Sequence, residues 1–277
     1  MQKRSNIDNL LLKGICFLAF LFILPIIYTL VGSFMDPHQL SKGVFKWTPE
    51  LPSLTQYFSL VIFKAEYMRF FLNSTFIAIS IIMLHMIFAT LTGYGFAMYQ
   101  FRGKKLILII YTLLLMMPFQ VTFVPNLLVF QKVEKFFSIQ IFDTHLALVL
   151  PGVYSVFGVY LMTQYIQRIP MEIVEAARVE GANELRIFWS VVLPCLKPAL
   201  FSLLFLTFVD YWNLIEQAVL YLTSTEKQPL SVYLESIYYQ DHSIFYAGAV
   251  LYTLPSIYIF LKCEHYLREG IFDGGRR

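Results

Sequence analysis

The chain has 277 residues, of which 58% are hydrophobic and only 14% charged, where soluble globular domains carry roughly 25% charge. Together with a mean hydropathy of +0.63, this excludes an ordinary soluble domain and places the chain in the membrane class. The net charge of +3 is accounted for by the basic loops of one membrane face, so it gives no independent reason to invoke nucleic acid.

Crossing a bilayer as a helix takes about 20 apolar residues, and the first such stretch is residues 14–35. Lys3 and Arg4 precede it as in a signal peptide. Its apolar run exceeds the ~7–15 residues of a signal core, however, and no small-x-small site closes it, which predicts a retained anchor. Residues 36–69 hold Pro37, Pro49 and Pro52 with Trp47, Tyr57 and Phe58, a mix suited to a short interfacial helix. The second stretch, 70–101, opens on Asn73, Ser74 and Thr75 and closes on Gly93, Tyr94 and Gly95; small and hydroxyl residues let helices approach closely in lipid. Residues 106–131 carry Pro118 and Pro125, and 144–167 carry Pro151, Gly152 and Gly158. These predict kinked or broken helices, tolerated only where freed carbonyls face protein or a water-filled cavity, which favours a transporter over a simple anchor. Residues 198–222 are apolar except for Asp210 and Glu216, and 242–261 form the last stretch. The expectation is an all-α polytopic membrane protein with six transmembrane helices. It divides into an anchor helix and outer loop over 1–69, a core over 70–265 and a tail over 266–277.

With the N-terminus inside, the cytoplasmic segments hold Lys3, Arg4, Lys13, Arg102, Lys104, Lys105, Arg168, Arg178, Arg186, Lys197, Lys262, Arg268, Arg276 and Arg277. The outer segments hold Lys42, Lys46, Lys64, Arg69, Lys132, Lys135 and Lys227. Fourteen against seven is the bias that the positive-inside rule requires, so both termini are expected in the cytoplasm. Cys16, Cys195 and Cys263 then fall at cytoplasmic helix ends, where thiols stay reduced and no disulfide is expected. Their separation also lacks metal-ligand spacing. His85 and His145 suit packing or hydrogen bonding better than a proton relay. With no phosphate-binding loop of the G-x-x-x-x-G-K-[ST] kind, any ATP hydrolysis belongs elsewhere.

The most informative stretch is the expected cytoplasmic loop at 169–194. Pro170 suits the first turn of a helix, residues 171–180 are mostly good helix formers, and Gly181 stands where a helix end takes a left-handed residue. Asn183 is placed to cap a second short helix running through Trp189, and Pro194 starts the next segment. On the first helix Ile173, Ala176, Ala177 and Glu180 share a face by i, i+3, i+4, i+7 spacing, with Glu175 and Arg178 elsewhere. A flat alanine face fits close docking of another protein; the same spacing also fits a helix resting on the membrane surface.

Glu175-Ala176-Ala177, Gly181, Val191 and Leu193-Pro194 together resemble the EAA loop of ABC-importer permeases, with Val191 where isoleucine is usual. The resemblance covers most of the chain and is closest to the carbohydrate-uptake class, the permease type of the maltose importer. It extends through Asn73-Ser74, 93–97, 102–105, Met117-Pro118 with Gln120 and Pro125, Leu150-Pro151, Ile169-Pro170, Lys197-Pro198 and Trp212-Asn213. One departure is Leu214, where an acidic residue often follows Trp-Asn. The resemblance implies a type I ABC-importer transmembrane domain in a bacterial inner membrane and a coupling helix seated on an ATPase subunit. It also implies a second permease, two ATPase subunits that bind the ATP and Mg, an extracytoplasmic solute-binding protein and a sugar cargo. No cofactor, metal or catalytic residue is expected in this chain.

A charge at the membrane midplane costs roughly 2.5–3.5 kcal/mol on insertion scales, which singles out Asp210 as paired, hydrated or protonated. On one continuous helix, Thr207, Asp210, Asn213, Gln217 and Tyr221 form a polar stripe. That stripe either lines a translocation path, with Tyr211 and Trp212 stacking on sugar rings, or binds a neighbouring helix or subunit. The rival readings are an ABC importer of a non-sugar solute, an ion-coupled secondary transporter and a membrane-embedded enzyme. The second would bring inverted repeats and the third a catalytic cluster, and the sequence displays neither.

Overall fold

A computed structural model describes residues 2–41, 52–60 and 65–272. Among these the structure is helical throughout, with no strand. Trp47, Pro49 and the lysines at 42, 46 and 64 lie outside the described residues, as do Arg276 and Arg277.

The chain divides into two compact units, one of residues 1–69 with 233–254 and one of 70–232 with 255–277. The first unit contains α1 (Gln2–Gly32), α2 (Pro37–Ser41) and α3 (Thr55–Phe58), together with parts of three helices that run on into the second: α4 (Ala65–Met98), α14 (Leu230–Tyr238) and α15 (His242–Phe272). Within this unit Tyr28 meets Tyr246 edge to face at 5.7 Å and Tyr67 donates to the Gly248 carbonyl at 3.3 Å. Buried Gln56 donates through Nε2 to the Met35 carbonyl, and Tyr57 donates to Ser33 at 2.7 Å, so α3 is bonded to the segment that follows α1. The apolar window of α1 contains no buried residue.

The second unit adds α5 (Lys104–Leu114), α6 (Phe119–Phe137), α7 (Leu146–Val153), α8 (Val156–Ile166), α9 (Met171–Val179), α10 (Glu184–Ile187), α11 (Leu193–Cys195), α12 (Lys197–Trp212) and α13 (Glu216–Tyr221). Lipid offers no hydrophobic drive for helices to associate, so close backbone approach and polar bonds must hold them. Gly93 of α4 lies so near α8 that a Cβ there would fall 2.8 Å from Met162 Cβ and 3.0 Å from the Thr163 amide; Gly158 of α8 leaves room for the ring of His85. Two apolar clusters follow. One joins Tyr94, Met162, Val174, Ile187, Phe188, Val192 and Leu203 at the end carrying the 169–194 loop; the other joins Ile77, Ile81, Phe130, Leu148, Leu214, Ala218 and Tyr221.

Among the described residues four helical segments are long and apolar enough to cross a membrane: Asn9–Gly32, Glu66–Met98, Leu146–Ile166 and His242–Arg268. A fifth arises if Glu184–Cys195 and Lys197–Trp212, bent by 73°, form one broken span. The architecture is consistent with the six expected spans, and one of them differs from the continuous helix read from sequence. Residues 106–131 are broken, as their prolines predict, between α5 and α6 on either side of Pro118. The stretch 198–222 breaks after Trp212: Asn213 turns its amide back to the Val209 carbonyl at 2.7 Å, a local bond that competes with helix continuation. The Leu214 carbonyl this frees accepts the Ser231 hydroxyl at 2.6 Å, the internal satisfaction that lipid requires.

At the end of the unit away from the loop, polar bonds form a latch. Asp143, in left-handed backbone at φ 55°, accepts the amides of Thr223 and Ser224 at 2.8 Å each, the Ser224 hydroxyl, and Lys227 Nζ at 3.2 Å. His145 Nε2 lies 2.9 Å from the Lys227 carbonyl, and Asn73 donates to the carbonyls of Glu226 and Gln228 at 2.8 and 2.9 Å. The Ser74 hydroxyl accepts the Leu230 amide at 2.8 Å. Hydrogen bonds from the Ser224 hydroxyl and amide, with help from Lys227 and Thr223, outweigh burial and hold the Asp143 carboxyl well below the usual carboxylate range. With the folded value depressed, the stabilisation is complete above the unfolded carboxylate value of about 3.9 and is lost as pH falls through the folded value. Amide exchange over 223–230 should therefore be protected equally at pH 5 and pH 8. Asp143→Ala, which removes all four of the bonds to its carboxylate, should speed it by about tenfold or more, since even one bond to a charged group is worth about that much. Unchanged exchange in that variant would mean the latch carries no stability.

Candidate functional site

The 169–194 loop is built as its residues require. Pro170 ends in extended backbone and α9 starts at Met171. At the far end Gly181 adopts φ +83°, its amide bonding Arg178 O and the Ala182 amide bonding Ala177 O, each at 3.0 Å. These are the paired bonds of a Schellman stop. Asn183 then caps α10 by accepting the Arg186 amide at 2.8 Å. The second short helix is shorter than expected. After Ile187 it widens into a π-helical turn over Phe188–Val192, whose Phe188 and Val192 are buried.

One side of the loop is seated on the unit and the other is open. Val174 is fully buried, and Ala177, Ala182, Val191 and Leu193 pack against the same cluster. Ile173 is 47% exposed, Val179 89%, Leu185 72% and Trp189 62%; Glu175, Ala176, Glu180, Gly181 and Pro194 are exposed as well. This corrects the expected face: α9 turns Ala177 toward the core, and the outward surface is Ile173, Ala176, Val179 and Glu180, continued by Leu185 and Trp189.

A second feature was not legible in the sequence. Glu184 Oε2 accepts the hydroxyls of Tyr94 and Tyr99 at 3.0 Å each, and Arg178 Nε and Nη2 reach Glu184 Oε1 at 3.0 Å. Tyr94 of α4 and Tyr99 just beyond its end are thereby bonded to α10, and α10 to α9.

The pathway candidates lie around a cavity of about 680 Å³ lined by Thr207, Asp210, Tyr211, Asn213, Glu216 and Gln217, with His85 and Ser155 opposite in sequence. Gln120 donates to Glu216 Oε2 at 2.8 Å, and Tyr211 donates to the Gly152 carbonyl at 3.3 Å. A second cavity of about 440 Å³, with Thr122, Asn126 and Tyr154 in its wall, shares Tyr211, Leu214 and Gln217 with the first. Asp210, Tyr211, Asn213 and Gln217 thus line one cavity, brought there by a helix end and a loop and not by one stripe. Trp212 does not: it is 1% exposed, stacked on Phe208 at 5.1 Å and edge-on to Phe71 at 5.6 Å. Glu216 joins the lining after the break at 213–215, and Ser155 joins it from the break between α7 and α8. Among the described residues no group of histidine, cysteine and acidic side chains is placed to hold a metal ion.

The model of the family described as "Binding-protein-dependent transport system inner membrane component" matches residues 86–261. The arabinooligosaccharides transport system permease protein AraQ of Halalkalibacterium halodurans is 28% identical over 99% of this chain and 98% of its own. The osmoprotective compounds uptake permease protein GgtD of Synechocystis is 31% identical over 74% of this chain and 68% of its own. Among solved structures, a chain of a bacterial ABC transporter involved in the import of the acidic polysaccharide alginate superposes with a TM-score of 0.81 at 22% identity, covering 96% of this chain and 97% of that one. The family match takes in the loop and, but for His85, the residues lining both cavities: the chain belongs to the binding-protein-dependent transport system inner membrane components, the membrane-spanning permease subunits of ABC importers.

Proposed function

We propose that this chain forms half of the translocation pathway for an uncharged sugar or short oligosaccharide and couples it to ATP hydrolysis by separate subunits. The observation that carries the reading is the two-sided loop: Val174 and Ala177 bind it to the helices, while Ile173, Ala176, Val179, Leu185 and Trp189 leave an apolar face uncovered. Contiguous exposed apolar surface of this kind marks an interaction site. Two ATPase subunits, holding the ATP and Mg, are its fitting occupants on the cytoplasmic side, with both termini on that side by the distribution of basic residues. A second permease completes the pathway and an extracytoplasmic solute-binding protein delivers the cargo. A solved relative of the same fold was crystallised with a pentasaccharide-bound periplasmic protein.

The cargo follows from the lining and the relatives. AraQ and the maltodextrin permease MdxG of Bacillus subtilis, 28% identical over 96% of this chain, are both named for oligosaccharides. Carboxylates, amides and hydroxyls in the cavity wall accept and donate hydrogen bonds to sugar hydroxyls. Two of them, Asp210 and Glu216, are acidic, and no lysine or arginine stands among the lining residues, which suits an uncharged cargo better than a uronate.

The test is ATP-dependent uptake of radiolabelled arabinotriose and maltotriose into proteoliposomes holding the complex purified through a tag on this chain, with glycine betaine as the non-sugar comparison. Uptake of a neutral oligosaccharide is expected. Asp210→Leu and Asn213→Leu should each lower it by on the order of tenfold, the worth of a lost bond to a charged or buried polar group, with ATPase content unchanged. Transport of betaine alone would overturn the sugar assignment, and equal transport in all three proteins would take both residues out of the pathway.

A further inference from the structure

We propose that Glu184 is the positioning residue through which movement of the loop reaches the membrane helices, an inference that rests on the loop being the coupling element. The backbone bonds of the turn at Gly181 end α9 and aim α10. Arg178 and Glu184 brace that angle across the hinge with side chains, both nitrogens of the guanidinium edge lying 3.0 Å from one carboxylate oxygen. The other oxygen of the same carboxylate takes Tyr94 and Tyr99 from the end of α4. One carboxylate therefore closes a triangle of α9, α10 and α4.

Its connections lead onward in both directions. Val174, one turn before Arg178, and Ala177, next to it, lie beneath the outward face of α9. Tyr94 is 7% exposed and packs edge-on to Phe188 at 5.2 Å and to Tyr99 at 5.9 Å, so its hydroxyl is aimed by buried neighbours. From Tyr94, α4 continues unbroken to His85 at the cavity wall, about 13 Å at the rise of an α-helix. On the way Gly93 sets its backbone against Met162 and Thr163 of α8. A displacement of α9 is thus delivered to a rigid rod that passes along the cavity wall. Apolar contact alone permits sliding, whereas charge-assisted bonds to a single carboxylate fix direction as well as distance.

The discriminating variants are Glu184→Gln, which keeps an acceptor but removes the charge, and the double variant Tyr94→Phe with Tyr99→Phe, which removes only hydroxyls. Each is made in the full complex purified through a tag on this chain, with Ala176→Asp prepared alongside. Two readouts are compared, the ATPase subunits retained and the stimulation of ATP hydrolysis by the solute-binding protein. Full ATPase content is expected in both discriminating variants, with stimulation reduced about tenfold and oligosaccharide moved per ATP reduced in step. A role confined to packing would lower the amount of complex without changing stimulation per complex, and that result overturns the proposal. Loss of ATPase content from Glu184→Gln also overturns it, since Glu184 would then belong to the docking face. Should Glu184→Gln fail to assemble, normal stimulation in the double tyrosine variant is sufficient to refute it. Full ATPase content in Ala176→Asp would instead retire the reading of the loop, a separate failure.

Discussion

Gly181→Val should leave membrane insertion intact while reducing solute-stimulated ATP hydrolysis by tenfold or more. The backbone at Gly181 has φ +83°, where a side-chain Cβ crowds the following carbonyl and costs roughly 1–2 kcal/mol. No neighbouring atom lies within 4 Å of a Cβ built there, so the penalty is conformational and not a clash. The chain can relieve it only by giving up the bonds from the Gly181 and Ala182 amides to Arg178 and Ala177. Those bonds end α9 and aim α10, whose Leu185 forms part of the exposed surface. Asparagine tolerates left-handed backbone, so Gly181→Asn should keep most of the stimulation. Full stimulation in the valine variant would mean that the turn does not orient the loop; equal loss in both would point to contact through the missing side chain.

Ala176→Asp should detach the ATPase subunits, and Ala177→Asp should instead lower the amount of folded chain. Ala176 is on the open face of α9, whereas Ala177 is packed against the cluster of Val174 and Ile187. An uncompensated charge taken out of water costs several kcal/mol, hence more than about 100-fold in affinity when it is placed in a protein contact. The same charge at Ala177 is taken out of water by this chain's own fold, before any partner arrives. Co-purified ATPase and the melting temperature of the solubilised chain separate the two cases. Loss of ATPase from both variants with unchanged melting would return Ala177 to the outer face and contradict the packing described here.

Local signals proved the readable ones. Pro170, Gly181 and Asn183 state their backbone roles in a few residues, and each stands in the structure where those roles require. Apolar length likewise marked the membrane helices. The break after Trp212 was not readable, because 198–222 contains no proline or glycine beyond Pro198; it depends on Asn213 bonding back to Val209 and on Ser231 receiving the Leu214 carbonyl. Without that break Glu216 does not reach the cavity wall and the polar residues look like one stripe. Trp212 shows the ambiguity of aromatics in lipid, where packing and ligand stacking draw on the same side chain and only Phe71 and Phe208 decide between them. Ala177 could not be placed by spacing, since adjacent alanines at 176 and 177 fit either edge of a face and the burial of Val174 decides. The Glu184 contacts join residues 90 and 85 positions apart, a distance over which a single sequence carries no pairing signal.

The most direct measurement is purification of the wild-type chain through a tag from its own membranes, followed by ATP hydrolysis with and without the solute-binding protein and neutral oligosaccharide. A coupling permease should bring down ATPase subunits and a second permease, and hydrolysis should rise when the loaded binding protein is added. A chain that purifies without any ATPase, and whose proteoliposomes take up oligosaccharide on an ion gradient in the absence of ATP, would contradict the assignment of the 169–194 loop as its coupling element.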